Sequence, residues 1–235
     1  MPSSTIDPST FDSIPDTIDA FRNGEFIVVL DDADRENEGD LIIAAEDVTA
    51  EQMAFMVRHS SGLVCAPVTA ERAAALSLPP MVPHNEDPRG TAYTVSVDAA
   101  DASVTTGIGA HDRALTVRTL ADPRATPAAL RRPGHVFPLA ARDGGVRVRP
   151  GHTEAAVDFC RLAGKRVQAA AICEIVDDGA EVAGRAVREN PGMLRGEGCV
   201  AFARTWGLKV CTIADLVRYL EKTEGKVEPN GSRSS

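Results

Sequence analysis

The sequence lacks the features that accompany membrane insertion or secretion. No apolar run approaches the roughly 18 residues that a membrane-spanning helix requires. Residues 1–12 are rich in Ser, Thr, Asp and Pro and contain neither a basic region nor an apolar core, so no signal peptide is expected. The five cysteines form no C-x-x-C pair and are odd in number. This usage favours reduced thiols in a cytoplasm over a disulfide framework or a cysteine zinc site.

Positive charge is scarce as well, with 25 Lys and Arg against 34 Asp and Glu. The net charge of −9 argues against nucleic acid as the main partner. Four of the basic residues are lysines, and the predominant arginine suits bidentate binding of phosphate. The length of 235 residues is enough for one substantial core. We expect one domain over 13–222, a flexible N-terminus over 1–12 and a disordered tail over 223–235.

Helical and strand-like segments are mixed without a repeat or a regular β-α-β rhythm. This pattern predicts an α+β fold, a single compact domain with a mixed sheet flanked by helices. Strands are predicted at 26–30, 41–45, 63–68, 93–97, 136–139, 146–148 and 167–176. Helices are predicted after the capping residues Thr49, Thr69 and Thr153, and over 112–120, 200–206 and 213–220. The proline-rich loop 77–92 is either a functional lid or an exposed connection.

The stretch from Asp31 to Asp40 carries six carboxylates and one arginine between two predicted strands. Carboxylates packed so densely repel one another unless a cation lies among them, and hard oxygen ligands suit Mg²⁺, Mn²⁺ or Ca²⁺. A solvated acidic loop is the alternative. An EF-hand is excluded, because a loop that starts at Asp34 places Ala45 at the position where a coordinating Glu is required.

A second candidate site lies at residues 149–153, where Arg149, Gly151 and His152 come just before a predicted helix. Free N–H groups at a helix start, together with an arginine, can bind phosphate, and a histidine held there can ligate a metal. A surface arginine beside a plain helix cap is the alternative. Residues 105–109 are either another anion site or a tight turn, and they lack the spacing of a nucleotide P-loop.

Three single residues are harder to interpret. His135 precedes an apolar strand and is either a hydrogen-bonded structural residue or a catalytic one. Glu174 lies inside the apolar run 170–176, where a carboxylate is costly unless it is paired, and this favours a functional role. Cys65 has no basic neighbour in the sequence, which favours a packed core thiol over a nucleophile.

Taken in order, these motifs resemble the 3,4-dihydroxy-2-butanone 4-phosphate synthase family. The similarity runs from about residue 16 to 220 and rests on 34–40, 106–108, 112–113, 132–139, 151–155, 172–175, 208–209 and 213–216. The chain departs from the family pattern at Ala180–Gly192, about ten residues longer than expected, at 193–199 and at Gly109. No GTP cyclohydrolase II domain follows in this sequence, so the resemblance is to the monofunctional form.

The resemblance implies a lyase of riboflavin biosynthesis that converts D-ribulose 5-phosphate into L-3,4-dihydroxy-2-butanone 4-phosphate and formate through a metal-stabilised enediol. It implies Mg²⁺ or Mn²⁺, one or two ions per site, with Glu36 and His152 as the metal ligands. It also implies a homodimer with the active site near the interface. Another divalent-metal sugar-phosphate enzyme (an isomerase or a phosphatase) and a non-enzymatic cation-binding module are the alternatives.

The family pattern also assigns roles to single residues. Arg35 and Asp40 would orient the sugar. The phosphate would be held by Thr106 and by the loop Arg149, Pro150, Gly151 and Thr153. The metal ligands Glu36 and His152, and also Glu174, would contact the substrate as well. Proton transfer would fall to Asp34, Glu38, His135 and Glu174.

Overall fold

The two apolar runs on either side of the acidic stretch form the centre of the sheet. The structure, a computed structural model, describes residues 7–227. Strand β1 (Ile27–Leu30) pairs antiparallel with β2 (Gly39–Ala44), so the acidic stretch is the connection between two adjacent buried strands. Both strands are buried along their whole length because β-branched and leucine side chains occupy both of their faces.

The remaining strands are β3 (Cys65–Thr69), β4 (Val97–Ala99), β5 (Leu130–Ala141), β6 (Ala170–Glu174), β7 (Val176–Asp177), β8 (Ala180–Glu181), β9 (Arg188–Glu189), β10 (Gly192–Met193) and β11 (Lys209–Thr212). The helices are α1 (Ile14–Arg22), α2 (Ala50–His59), α3 (Ala70–Ala75), α4 (Ala110–Ala121), α5 (His152–Leu162), α6 (Glu197–Thr205) and α7 (Ile213–Glu224). Seven strands form one mixed sheet in the order β11-β1-β2-β6-β3-β5-β4, which confirms the predicted α+β class.

Helices cover both faces of this sheet. Val28, Leu30, Leu41 and Ile43 point to the face that carries α2, α4 and α6, where Met53, Met56, Val117, Leu120 and Val200 complete one core. The alternate residues Ile27, Val29 and Ile42 point to the other face and pack with Phe21, Phe159 and Leu216 of α1, α5 and α7. Since neighbouring strand residues face opposite sides, one continuous apolar run serves two cores.

Strand register brings distant parts of the sequence to one edge of the molecule. Antiparallel pairing of β2 with β6 places Asp40 opposite Glu174. The helix α5 packs on β2, β3 and β6 and begins next to that edge. The end of the acidic loop, Glu174 and the start of α5 therefore converge without any long side chain having to reach.

Several local predictions are confirmed. Thr49 and Gln52 form a reciprocal capping box at the start of α2, and the Thr69 side chain caps α3 by accepting the N–H of Arg72. Others are wrong. Residues 146–148 form no strand but part of a 3-10 turn, because Gly144 and Gly145 have φ values of +92° and +63° and turn the chain.

Three helix starts and one strand also differ from the prediction, and the helix predicted over 200–206 spans Glu197–Thr205. Thr153 does not cap α5, which begins two residues earlier than predicted, at His152, with Gly151 at the cap position. The helix expected from Asp112 begins at Ala110. The strand expected at 93–97 is confined to β4, and Tyr93 and Thr94 contribute only isolated bridges.

Both predicted chain ends fall partly outside the described residues, namely at 1–6 and 228–235. In the described parts of the two ends, Asp12 forms ion pairs with Arg204 and Lys209. Helix α7 continues to Glu224, which forms an ion pair with Arg147. No helix among residues 7–227 has both the length and the apolar character to cross a membrane.

The extra segment Ala180–Gly192 forms a small surface hairpin. Strands β8 and β9 pair with each other in register Ala180↔Glu189, and both are exposed. A second pair, β7 with β10, closes the base of the hairpin against the body of the protein. The segment is thus an excursion from the surface of the protein.

Candidate active site

The acidic loop is wound around one buried carboxylate, Asp31. Its Oδ1 accepts the backbone N–H of Glu38 at 2.8 Å, and its Oδ2 accepts the N–H of Glu36 at 3.0 Å and Nη1 of Arg35 at 2.8 Å. Asn37 adopts a left-handed φ of +56°, which lets the chain turn back toward β2. The loop is therefore a fixed structure that presents some of its carboxylates inward.

The start of α5 supplies an anion cradle opposite that loop. A Cβ at Gly151 would lie 2.5 Å from Nη1 of Arg149 and 3.1 Å from Nη2 of Arg35, so a side chain at this position would displace the Arg149 guanidinium from the helix start. Arg149 is held by Glu154, 2.6 Å from its Nη1, and by the hydroxyl of Thr91, 3.1 Å from its Nη2. Two arginines beside free helix N–H groups can bind a phosphate.

These two elements enclose a cleft of about 130 Å³. Eight predicted site residues line it: Arg35, Glu36, Glu38, Asp40, Arg149, His152, Thr153 and Glu174. Six lining residues were not predicted as site residues: Cys65, Asp87, Thr91, Tyr93, Leu139 and Ile172. Asp87 and Thr91 belong to the loop 77–92, whose length was the signal for a functional loop, and Arg149 and Arg89 join that loop to the cleft wall.

A ligand atom from each of Asp31, Glu36 and His152 lies within 4.8 Å of the other two. The oxygens of Asp31 already accept three N–H groups, so Asp31 is better suited to shaping the loop than to ligating an ion. Nε2 of His152 lies 3.1 Å from the carbonyl oxygen of Val29 and must donate to it, because a carbonyl only accepts. The Nδ1 lone pair of His152 is therefore free.

The surroundings of that lone pair fit a divalent cation. Nδ1 of His152 lies 3.6 Å from Oδ1 of Asp40, a buried atom that has no hydrogen-bond partner. Burial lowers the pKa of His152, which favours the neutral imidazole that ligates metals. Two facing acceptors with Glu36 beside them form a donor set for Mg²⁺ or Mn²⁺.

The cleft also carries an excess of negative charge. Burial, and then repulsion from Glu174, raises the pKa of Asp40 well above its usual value. Burial, and then repulsion from Glu36 and Glu174, raises the pKa of Glu38, while Arg195 opposes that shift. Glu174 accepts a hydrogen bond from the hydroxyl of Ser61 at 2.9 Å, which orients its carboxylate. Carboxylates this close are stabilised when a cation lies between them.

Five predicted site residues are not among those that line the cleft, and one of them, Gly151, still contributes its backbone to the helix start beside it. Asp34 and Pro150 are exposed, on the outer side of their loops. Thr106 is exposed near His135, whose Nδ1 lies 2.8 Å from Oδ2 of Asp98. His135 precedes the cleft residue Leu139 by four positions on β5, which separates them by roughly 13 Å along the strand. The predicted set is thus divided between two places on one chain.

An α+β fold whose acidic cleft combines a neutral histidine, two arginines and a helix start is typical of an enzyme that handles a phosphorylated substrate with a divalent cation. Comparison with known proteins is more specific. The family model of 3,4-dihydroxy-2-butanone 4-phosphate synthase matches residues 15–219. This chain belongs to that family.

Two relatives and one solved structure illustrate the match. The 3,4-dihydroxy-2-butanone 4-phosphate synthase of Pyricularia oryzae is 71% identical over 99% of this chain and 100% of its own length. The synthase of Schizosaccharomyces pombe is 54% identical over 89% of this chain and 97% of its own length. A crystal structure of such a synthase in complex with two magnesium ions superposes with a TM-score of 0.91, at 72% identity, over 92% of this chain and 100% of that one.

Proposed function

We propose that this chain is a lyase of riboflavin biosynthesis that converts D-ribulose 5-phosphate into L-3,4-dihydroxy-2-butanone 4-phosphate and formate. Its family membership over residues 15–219 supports this activity. The observation that carries the proposal is that one cleft is lined by Glu36, Arg149, His152 and Glu174. These residues lie up to 138 positions apart in the sequence and come from three separate parts of the fold.

The cleft offers distinct places for the two ends of such a substrate. The phosphate would lie at the start of α5, against Arg149, Thr153 and the backbone of Gly151. The sugar oxygens would lie toward the acidic loop, where Arg35 and Asp40 can orient them. Mg²⁺ or Mn²⁺, as one or two ions held by Glu36 and His152, would stabilise negative charge that develops on those oxygens.

The carboxylates beside the sugar are suited to moving protons. The raised pKa values of Glu38 and Asp40 mean that burial disfavours their charged forms, so each can exchange a proton more readily near neutral pH than an exposed carboxyl group. Glu174, held by Ser61, lies across the strand pair from Asp40, which supports a role for it in proton exchange with the sugar. Glu174→Gln would keep the side-chain volume and remove the titrating group.

We also infer a homodimer in which His135 and Thr106 of one subunit complete the cleft of the other. The roughly 13 Å between His135 and Leu139 along β5 supports this arrangement, since the chain's own cleft ends before its own His135. His135→Ala and Glu36→Gln should each be inactive alone. When co-expressed, they should recover about a quarter of the parental turnover, because half of the dimers are mixed and one of their two sites is intact. No recovery would place each whole site within one subunit.

The activity itself is tested by incubation of the protein with D-ribulose 5-phosphate and Mg²⁺ or Mn²⁺, followed by assays for formate and for inorganic phosphate. Formate is expected. Phosphate without formate would indicate a phosphatase, a new pentose phosphate without either would indicate an isomerase, and metal binding without turnover would indicate a cation-binding module. We assign the enzyme to the cytoplasm because its five cysteines are all buried free thiols.

A further inference from the structure

His135 is exposed on 41% of its side chain, yet its ring is held in one orientation by Asp98 of β4. Oδ1 of Asp98 accepts the backbone N–H of His135 at 2.9 Å, and Oδ2 lies 2.8 Å from Nδ1 of the ring. One carboxylate therefore grips both the backbone and the side chain of the same residue. The side chain of Asp98 is only 11% exposed, so water competes weakly for these bonds.

This contact decides which ring nitrogen of His135 carries the hydrogen. An ionised carboxylate is only an acceptor, so Nδ1 must donate to it. In the neutral ring the lone pair is then on Nε2, the nitrogen farther from Asp98. A solvent-exposed histidine without such a partner would exchange between both tautomers and several ring orientations.

The surrounding backbone is built closely around this bond. A Cβ at Gly107, where φ is +86°, would lie 2.1 Å from Oδ2 of Asp98 and 2.6 Å from Nδ1 of His135. A Cβ at Gly134 would lie 2.0 Å from the backbone of Val97. The two glycines let one loop cover the bond and let β5 approach β4 closely enough for the bond to form.

The covering loop is itself fixed. Asp112 accepts the backbone N–H groups of Thr105 and Gly107, both at 3.0 Å, and the hydroxyl of Thr105 at 2.8 Å. Hydrogen bonds from His111 and then Thr105 lower the pKa of Asp112 to about 2, so its carboxylate stays ionised and holds the loop at neutral pH. The loop with Thr106 therefore remains closed over the Asp98–His135 bond.

We propose that Asp98 is a positioning residue that fixes His135 as the Nδ1-protonated tautomer and directs its Nε2 lone pair outward as a proton acceptor. The proposal rests on the catalytic role proposed above for His135. It assigns no substrate contact to Asp98. It explains why a buried acid, a left-handed glycine and a close strand contact surround one exposed ring.

The test is Asp98→Asn, which has nearly the same shape. Its Oδ1 can still accept the His135 N–H, but its amide nitrogen donates to Nδ1 and moves the ring hydrogen to Nε2. We expect kcat to fall by about 10²-fold or more with KM nearly unchanged. The ¹⁵N NMR shifts of the two His135 ring nitrogens should exchange. The exposed Asp101, whose side chain bonds only Ser103 among residues 7–227, provides the matched control Asp101→Asn, with parental kcat and shifts.

Parental kcat in folded Asp98→Asn, or a lower kcat without exchange of the ring shifts, would overturn the proposal. If the variant does not fold, the ¹⁵N spectrum of the parent decides, because a hydrogen on Nε2 of His135 is incompatible with it. The variant His135→Ala distinguishes the proposed catalytic role of His135 from the proposed positioning role of Asp98. Full turnover in His135→Ala would refute the catalytic role of His135, whereas its loss together with an active Asp98→Asn would refute the positioning role alone.

Discussion

The acidic loop 31–40 and the hairpin 180–192 are both charged excursions between strands, but their charges behave differently. In the loop, Asp31 is fully buried at its side chain and collects two backbone N–H groups and a guanidinium. At the hairpin, Arg188 pairs with Asp178 while 43% and 71% of their side chains stay exposed. The charged residues of the acidic loop are therefore held in a fixed arrangement by one buried carboxylate. The charged residues of the hairpin have no such buried partner and stay solvated at the surface.

The largest expected difference follows from the same substitution in both regions. Glu36→Gln should reduce turnover by more than about a hundredfold and weaken Mg²⁺ binding. Loss of a residue that only hydrogen-bonds to a metal ligand already lowers metal affinity or activity by about 10- to 100-fold, and loss of a ligand itself should cost more. Glu181→Gln in the hairpin should change neither. Formate release and calorimetric titration of Mg²⁺ measure both variants. Parental metal affinity in Glu36→Gln would mean that the other carboxylates and His152 hold the ion without it.

Asp31→Asn should affect both folding and turnover. The amide has one acceptor oxygen, and its nitrogen is a donor. The amide nitrogen would therefore face either the N–H of Glu38 or the N–H of Glu36 and the Arg35 guanidinium, and those hydrogen bonds would be lost. We expect a loss of about 1–3 kcal/mol in the free energy of unfolding and a lower kcat. Urea denaturation and the formate assay measure these changes, with the exposed Asp178→Asn as the control. Unchanged stability would show that the loop folds without its buried acceptor.

Asp40→Asn should stabilise the metal-free protein while it impairs turnover. The pKa of Asp40 is raised in the folded state, so ionisation of this carboxyl destabilises the folded protein as the pH rises above the pKa of Asp40 in the unfolded chain. The amide removes that cost, and we expect a gain of about 1–2 kcal/mol near pH 8 that shrinks near pH 5. Thermal unfolding in chelator at both pH values tests this against Asp177→Asn. An equal gain at both pH values would exclude titration of Asp40 as its cause.

The smallest effect is expected from trimming residues 180–192 to a short turn. Both hairpin strands are exposed and pair only with each other, so turnover and the unfolding free energy should stay within about twofold and 0.5 kcal/mol of the parent. Activity and the oligomeric state by gel filtration are the measurements. A folded but inactive or monomeric variant would make the hairpin part of an interface or lid.

Much of the fold could be predicted because its local signals agree with its tertiary structure. Apolar runs marked β1, β2 and β6, and Thr49 and Thr69 marked helix starts that the structure confirms. The prediction failed where glycine decided the backbone. At Gly144 and Gly145 two left-handed residues outweighed the strand-like pattern of 146–148, and α5 begins with Gly151 instead of Thr153 at its cap position.

The site was predicted through the resemblance more than through any single motif. Glu36, His152 and Glu174 were each ambiguous alone, and the strand register that joins Asp40 to Glu174 is not visible in either segment. Asp31 was missed as an organiser because two of its three partners are backbone N–H groups, which leave no trace in residue identity. Tyr93 and Thr91 were missed because the cleft wall they form depends on the path of a long loop.

The contact between Gly39 and Cys199 has a consequence for how this sequence can change over generations. A Cβ at Gly39 would lie 2.7 Å from the sulfur of Cys199, which is fully buried and bonds the carbonyl of Leu194. A larger residue at 39 therefore requires a smaller one at 199, and the two positions share one volume although 160 residues separate them. Because Cys199 is fully buried, a larger residue there would overpack the same volume, so a lineage that lost glycine at 39 would have to replace both residues together.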